Sequence, residues 1–412
     1  MHRKNLYNTM YRKNYGARQM KKIGLLPRII IGIILGILVG MFLPAPIVRI
    51  FVTISAIFSL FLNFIIPLMV VTFIGYGIAN LTEGAPKLIG ITVIISYAST
   101  LIAGSIAFFV ASNLFPTLLG SATLSNIKLE SGLESYFTIP LKPLFDVTSA
   151  VIFAFILGIG ITLLRPKGQG AELFSIVKDS EEVIQTILKN IIIPILPLHI
   201  LGTFANLAYA GSIQHIIVIF AKVFVVVIIL HLLYITALFI ISGIIGKKSP
   251  LMLIKNQIPP YFTAIGTQSS AATIPVSLIA AEKNGVSEQI RKFVIPLCAT
   301  IHLAGSMITI TCCSTAVILI LGQNPTYSSI LPFILMLGIA MVAAPGAPGG
   351  AIMSALPFLY MVGITGEELQ GLMIALYLTQ DSFGTAANVS GDNAIAVFVD
   401  WYYQNKVKKD AA

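Results

Sequence analysis

Gly266-Thr267-Gln268-Ser269-Ser270-Ala271-Ala272-Thr273 interrupts an otherwise apolar segment over residues 251–283. A second break, Ala344-Pro345-Gly346-Ala347-Pro348-Gly349-Gly350, interrupts the apolar segment over 329–363. Each broken segment is tied to a long helix-forming run that carries its own polar residues, over 290–322 and 368–403. Paired interruptions in two halves of opposite orientation are a sequence sign of a binding site near the middle of a bilayer. Irregular backbone survives at that depth only where protein buries it or a cavity is lined by it.

The rest of the chain supplies the bilayer setting. Of 412 residues, 57% are hydrophobic and 10% charged, with a mean hydropathy of +0.93. A soluble domain carries about 25% charged residues. A hydrocarbon core of about 30 Å is crossed by about 20 apolar residues in a helix. Runs of that kind lie near 23–45, 50–80, 88–114, 141–164, 181–210 and 213–245. The fold class expected is an all-α polytopic membrane protein with eight transmembrane helices plus two re-entrant helical hairpins.

Basic residues set the orientation. With both termini in the cytoplasm and the segments 251–283 and 329–363 returning to the side they entered, the inside loops hold Lys87, Arg165, Lys167, Lys178, Lys247, Lys248, Lys255, Lys283, Arg291 and Lys292. The inside tail adds Lys406, Lys408 and Lys409, whereas the outside loops hold only Arg49, Lys128 and Lys142. This is the positive-inside asymmetry. It requires both broken segments to be re-entrant. The net charge of +10 is concentrated in Arg3, Lys4, Arg12, Lys13, Arg18, Lys21, Lys22 and Arg28, just before the first apolar run. There it reads as an orientation signal and an anionic-lipid contact rather than a nucleic-acid surface. The segment from Ile23 has no small-residue cleavage site and is read as a retained helix. Cys298, Cys312 and Cys313 lie in apolar runs without metal-ligand spacing and read as small core residues.

In the last run Asp381, Thr385, Asn388 and Asp392 recur at intervals of four, three and four residues, one stripe of a helix. Two carboxylates in an apolar helix cost several kcal/mol unless a cation or a ligand satisfies them. The stripe is therefore a candidate for an amine and a cation, the alternative being a polar packing seam. Thr300-Ile301-His302-Leu303-Ala304-Gly305-Ser306 places a glycine at an expected helix break, whose free carbonyls suit an alkali cation.

These four motifs, in this order over roughly residues 250–400, resemble the dicarboxylate/amino acid:cation symporter family, the glutamate transporter homologues. The first break resembles the family's first hairpin tip and Ala344 to Gly350 its second. Pro296 to Ser306 resembles the seventh-helix motif, and Asn388-Val389-Ser390-Gly391-Asp392 the eighth-helix one. Earlier helices agree in number, with motif similarity from Pro197-Leu198 to Ala208.

The resemblance implies an elevator-type homotrimer in the cell membrane. Residues 1–22 would form a basic cytoplasmic segment, 23–87 and 141–210 the scaffold helices, 88–114 and 213–403 the transport domain, and 404–412 the cytoplasmic tail. By the same resemblance Ser269, Ser270 and Asn388 would receive a substrate carboxylate and Asp381 the α-amino group, with Thr385, Gly384 and Gly346 lining the pocket. One sodium would be held by Asp392 and the carbonyls of Cys298, His302 and Asn388, and a second by backbone of Thr300 and the second hairpin.

Departures from the family pattern shape the rest of the expectation. Gly384 stands where members carrying acidic substrates have arginine, Gln268 stands where another arginine is often found, and no Lys or Arg occurs between Lys292 and Lys406. A side-chain carboxylate would lack its charge-assisted partner. The expected function is sodium-coupled symport of a small neutral amino acid, the alternative within carriers being an acidic amino acid or dicarboxylate. His302 and Ala304 replace the family's Asn and Asp of the seventh helix. That implies one or two sodium ions rather than three, and makes His302 the candidate for carrying a proton. Tyr97 with Ser99 or Thr100 stand as candidate remnants of the lost site. A channel would need a continuous polar path, whereas these residues converge on one place. No catalytic motif of an enzyme is present.

Overall fold

The computed structural model describes residues 24–80, 86–119, 132–144, 146–211, 213–342, 344–346 and 348–407. The basic residues before Gly24, the loop around Lys128, Ala347, and the tail with Lys408 and Lys409 lie outside them. Every regular element among the described residues is helical. Among the described residues six stretches are long and apolar enough to cross a membrane, and many exposed side chains on them are large and apolar, such as Ile34, Ile94, Leu233 and Ile244. A contiguous apolar exterior of this extent belongs against lipid, and the chain is a multi-pass membrane protein.

One group of helices packs as a layer: α1 (Leu25–Phe42), α2 (Ala45–Asn80), α4 (Val147–Leu164), α5 (Ala171–Ile187) and α6 (Ile193–Tyr209). The α1–α6 contact rests on a stripe of small residues. A Cβ added at Gly32, Gly36 or Gly40 would lie 2.6, 2.5 or 2.2 Å from the carbonyls of Pro197, Leu201 and Ala205. Close backbone approach over such a stripe is the usual basis of helix packing in lipid, where no hydrophobic force favours association.

A second group surrounds the site: α3 (Pro86–Leu119), α7 (Ile213–Gly246), the hairpin α8 (Pro250–Thr267) and α9 (Ser270–Lys283), α10 (Glu288–Ile301) and α11 (Ala304–Ile320). It continues with α12 (Tyr327–Val342), the short α13 (Gly350–Ala355) with its 3₁₀ extension to Val362, and α14 (Glu367–Tyr402). Every residue of α11 is buried, at the centre of this group between α3, α7 and α14. At one end, Asp400 accepts from the Ser287 amide at 3.2 Å and hydroxyl at 2.5 Å, capping α10, while Lys248 donates to the Asn284 carbonyl at 2.5 Å. These bonds fasten α14 and α7 to the α9–α10 turn.

Three boundaries differ from the hydropathy reading. The fourth span was expected from 141, but Pro140 and Pro143 sit in an extended stretch and the helix starts at Val147, after Asp146 accepts from the Ser149 amide at 3.0 Å. Proline supplies no donor and resists the helical register. The second span begins at Ala45 rather than 50, with Pro46 near its start. The fifth, expected from 181, begins at Ala171. Its charged first half hides it from a hydropathy average, yet Val177 and Ile184 are buried and Phe174 packs against Tyr76 at 5.8 Å. A π turn, Leu188–Ile192, joins it to α6.

Candidate substrate and cation site

Both sequence breaks are real turns, and they meet. Gln268 ends α8 in the left-handed region, φ 52°, and Ser269 is extended, accepting the Ala272 amide at 3.2 Å as the N-cap of α9. The same Ser269 hydroxyl donates to the Gly346 carbonyl at 2.7 Å. Ser270, in the first turn of α9, is buried. Gly346 packs on both elements, since a Cβ there would lie 3.5 Å from the Ala299 carbonyl and 3.7 Å from Ala271. Gln268 reaches α14, donating to Ser382 Oγ at 2.9 Å.

The third break is His302–Leu303, where α10 stops and α11 begins. A non-helical pair inside a membrane helix leaves the following N–H groups without their helical acceptors. Asn388 supplies their acceptor, its Oδ1 taking the amides of Gly305 at 2.8 Å and Ser306 at 3.2 Å. Gly305 allows this approach, because a Cβ there would lie 2.3 Å from the Gly384 carbonyl. From the other side His231 Nε2 lies 2.9 Å from the Gly305 carbonyl, so that nitrogen carries the proton and donates it.

The stripe on α14 is one face, and it is buried. Asp381 Oδ2 accepts the Gly349 amide at 2.8 Å and Oδ1 the Tyr377 hydroxyl at 2.8 Å. The second hairpin thus closes on Asp381. Thr385 is buried between Asp381 and Asn388 on this helix, and Gly384 beside it faces Thr309 Oγ1, 3.5 Å from where a Cβ would stand. Asp392 Oδ1 lies 3.0 Å from His302 Nδ1, and Ser99 Oγ stands 3.0 Å from the other ring nitrogen. Ser99 is also 2.8 Å from the Tyr234 hydroxyl. Gly391 seats the ring: a Cβ there would be 2.3 Å from His302 Cε1.

Of the remaining residues named from sequence, Cys298 is buried, its carbonyl accepting the His302 amide at 2.9 Å and its sulfur 3.5 Å from Ser96 Oγ. Thr300 is exposed and donates its hydroxyl proton back to the Leu297 carbonyl at 2.7 Å. Among the third-helix residues, Ser99 reaches His302, while Thr100 bonds the Ser96 carbonyl at 2.9 Å and Tyr97 the Leu335 carbonyl at 3.3 Å. Tyr377, the Ser306 hydroxyl, Tyr234 and His231 were not singled out from sequence. Tyr377 was findable, because it lies one four-residue step before Asp381 on the same stripe.

Chemically the arrangement offers two buried carboxylates in different settings. Asp381 is held by two neutral donors and faces the hairpin tips, a setting suited to an ammonium group. Asp392 faces an imidazole, beside the interrupted helix whose carbonyls are the hard oxygen donors an alkali ion takes.

The serine/threonine transporter SstT of Acinetobacter baumannii (strain AYE) is 26% identical over 402 residues, covering 92% of this chain and 97% of that protein. The transporter of the same name from Acinetobacter baylyi (strain ADP1) gives the same identity and coverage. Residues 25–401 match the sodium:dicarboxylate symporter family, from the first residue of α1 almost to the end of α14 and across the whole site. Members of this family are transporters rather than enzymes, and the chain belongs to the sodium:dicarboxylate symporter family.

Proposed function

We propose that this symporter couples sodium to the uptake of a small neutral amino acid, with hydroxyl-bearing serine and threonine the leading substrates. The observation that carries this reading is Asp381: a buried carboxylate whose partners among the described residues are the Gly349 amide and the Tyr377 hydroxyl. No Lys or Arg lies between Lys292 and Lys406 on the site helices. An α-ammonium group finds its counter-charge there, whereas a second substrate carboxylate finds none. The names of the two Acinetobacter relatives favour the same substrate class.

In this proposal Ser269 and Ser270 receive the substrate carboxylate, Asp381 the ammonium, and Thr385, Gly384 and Gly346 line the pocket. Asn388 assists with the amide proton that its bond to Ser306 leaves over. Asp392 and the carbonyls of Cys298, His302 and Asn388 take one sodium, and backbone at Thr300 and the second hairpin another. Transport is by an elevator motion within a homotrimer: α1, α2, α4, α5 and α6 form the fixed scaffold, and α3 with α7 to α14 the moving domain. Eight crossings, two re-entrant hairpins and cytoplasmic termini complete the topology. Proton coupling through His302 is the second reading, favoured by its 3.0 Å contact with Asp392, and an unaltered pH profile in His302→Asn overturns it.

Uptake of labelled amino acids into proteoliposomes, with and without an inward sodium gradient, tests the proposal. Sodium-driven uptake of serine, threonine or alanine but not aspartate is expected. Aspartate or glutamate uptake overturns the specificity, and absence of any sodium-driven uptake overturns the coupling.

A further inference from the structure

Four buried side chains form an unbroken hydrogen-bonded line from Asn388 to Asp381. Asn388 Nδ2 donates to Ser306 Oγ at 3.0 Å, Ser306 Oγ lies 3.0 Å from the Tyr377 oxygen, and Tyr377 donates to Asp381 Oδ1 at 2.8 Å. Their exposures are 2%, 1%, 0% and 4%, so water does not compete along the line. The direction of each bond follows from the proton inventory. Tyr377 has one proton and an ionised Asp381 can only accept, so that proton goes to the carboxylate. Ser306 then donates to the Tyr377 oxygen and receives the Asn388 amide proton. All three bonds point toward Asp381, an order in which each strengthens the next in a low-dielectric interior.

The other end of the line is mechanical. Asn388 Oδ1 holds the first amides of α11, Gly305 and Ser306, immediately after the His302–Leu303 break. The break carbonyls, the Asn388 backbone and Asp392 compose the cation site proposed above. A cation drawing on those carbonyls would act on the start of α11, whose Gly305 and Ser306 amides are tied to the Asn388 side chain.

We infer that Tyr377 and Ser306 are positioning residues that couple the amine-binding carboxylate Asp381 to the cation site across Asn388. The inference rests on the functional reading above and names the side chains through which sodium sets substrate affinity. Neither side chain is assigned to either ligand in the functional reading above. Their contribution is therefore to the coupling, the factor by which sodium tightens substrate binding, and linkage makes that factor equal in both directions.

The test is equilibrium binding of serine to the purified full-length protein at low and at saturating sodium. The ratio of the two dissociation constants is the readout. Tyr377→Phe and Ser306→Ala are each expected to shrink that ratio by about fivefold or more, the lower range of measured couplings. The double variant is expected to lose no more than either single one, as members of one network do. Ser306→Thr, which keeps the hydroxyl, is expected to retain the wild-type ratio. A merely structural role would weaken binding equally at both sodium levels, so an unchanged ratio in Tyr377→Phe, or additive losses in the double variant, overturns the inference alone. Thermal unfolding of each variant identifies any misfolded sample, and the paired variants leave the cycle readable from either side. Wild-type binding indifferent to sodium would overturn the functional reading and the inference together.

Discussion

The Ser269 hydroxyl donates to the Gly346 carbonyl across 2.7 Å, joining the tips of the two helical hairpins directly. Ser269 also caps α9 through the Ala272 amide, so the same oxygen ends one helix turn and closes the site. Ser269→Ala removes both bonds. Loss of an N-cap costs about 0.5–2 kcal/mol, and the freed second tip should open more often. Faster amide hydrogen exchange around Gly346 and Gly349 is expected, with weaker substrate binding. Unaltered exchange at the second tip would separate the two hairpins energetically.

Asp381→Asn tests the ammonium site without removing bulk. The amide oxygen can still accept from Gly349 or Tyr377, so the fold is expected to persist. The charge is gone, however. A hydrogen bond to a charged group is worth about 1.5–3 kcal/mol, or about 10- to 100-fold in affinity. Serine binding is expected to weaken by that factor while the unfolding temperature stays near wild type. Full affinity in this variant would move the ammonium group elsewhere.

At the other carboxylate the decisive neighbour is a glycine. Gly391→Ala places a methyl 2.3 Å from His302 Cε1, with the ring fixed by Asp392 on one nitrogen and Ser99 on the other. The ring has to leave at least one partner. Overpacking of this kind costs about 1–3 kcal/mol, and the sodium concentration for half-maximal uptake is expected to change because Asp392 loses its neighbour. His302→Asn should shift the same quantity without the steric cost. Sodium dependence identical to wild type in both variants would remove His302 and Asp392 from the cation site.

These variants also show where sequence reading succeeds. The α14 stripe was legible because helical spacing alone puts Asp381, Thr385, Asn388 and Asp392 on one face, and the breaks were legible because Gly, Pro and Ser interrupt apolar runs. What stayed hidden depends on contacts between distant segments. Tyr234 and His231 sit in an apolar run, and only packing of α7 on α3 and α11 brings them to Ser99 and Gly305. The start of α5 stayed hidden for a different reason, since averaged hydropathy misses an amphipathic helix that buries only Val177 and Ile184.

The two helix groups touch at a point that an elevator motion must break. Asn206, near the end of α6, accepts the Leu133 amide at 2.7 Å and donates to Glu368 at the start of α14 at 2.8 Å. Gly371, one turn further along α14, lies so close to the same helix that a Cβ would sit 2.7 Å from Thr203 Oγ1. If α14 slides past α6 during transport, these contacts cannot persist through the cycle. The natural cysteines are buried, which allows a thiol pair to be introduced here with little background. Asn206→Cys combined with Glu368→Cys, bridged by a short bifunctional thiol reagent, is therefore expected to abolish uptake, and a reducible bridge should restore it on reduction. Substrate binding should survive the bridge, because every site residue lies within one group. Full uptake by the bridged protein would mean that α6 and α14 keep their register, and the elevator proposal would then fail while the binding site stood.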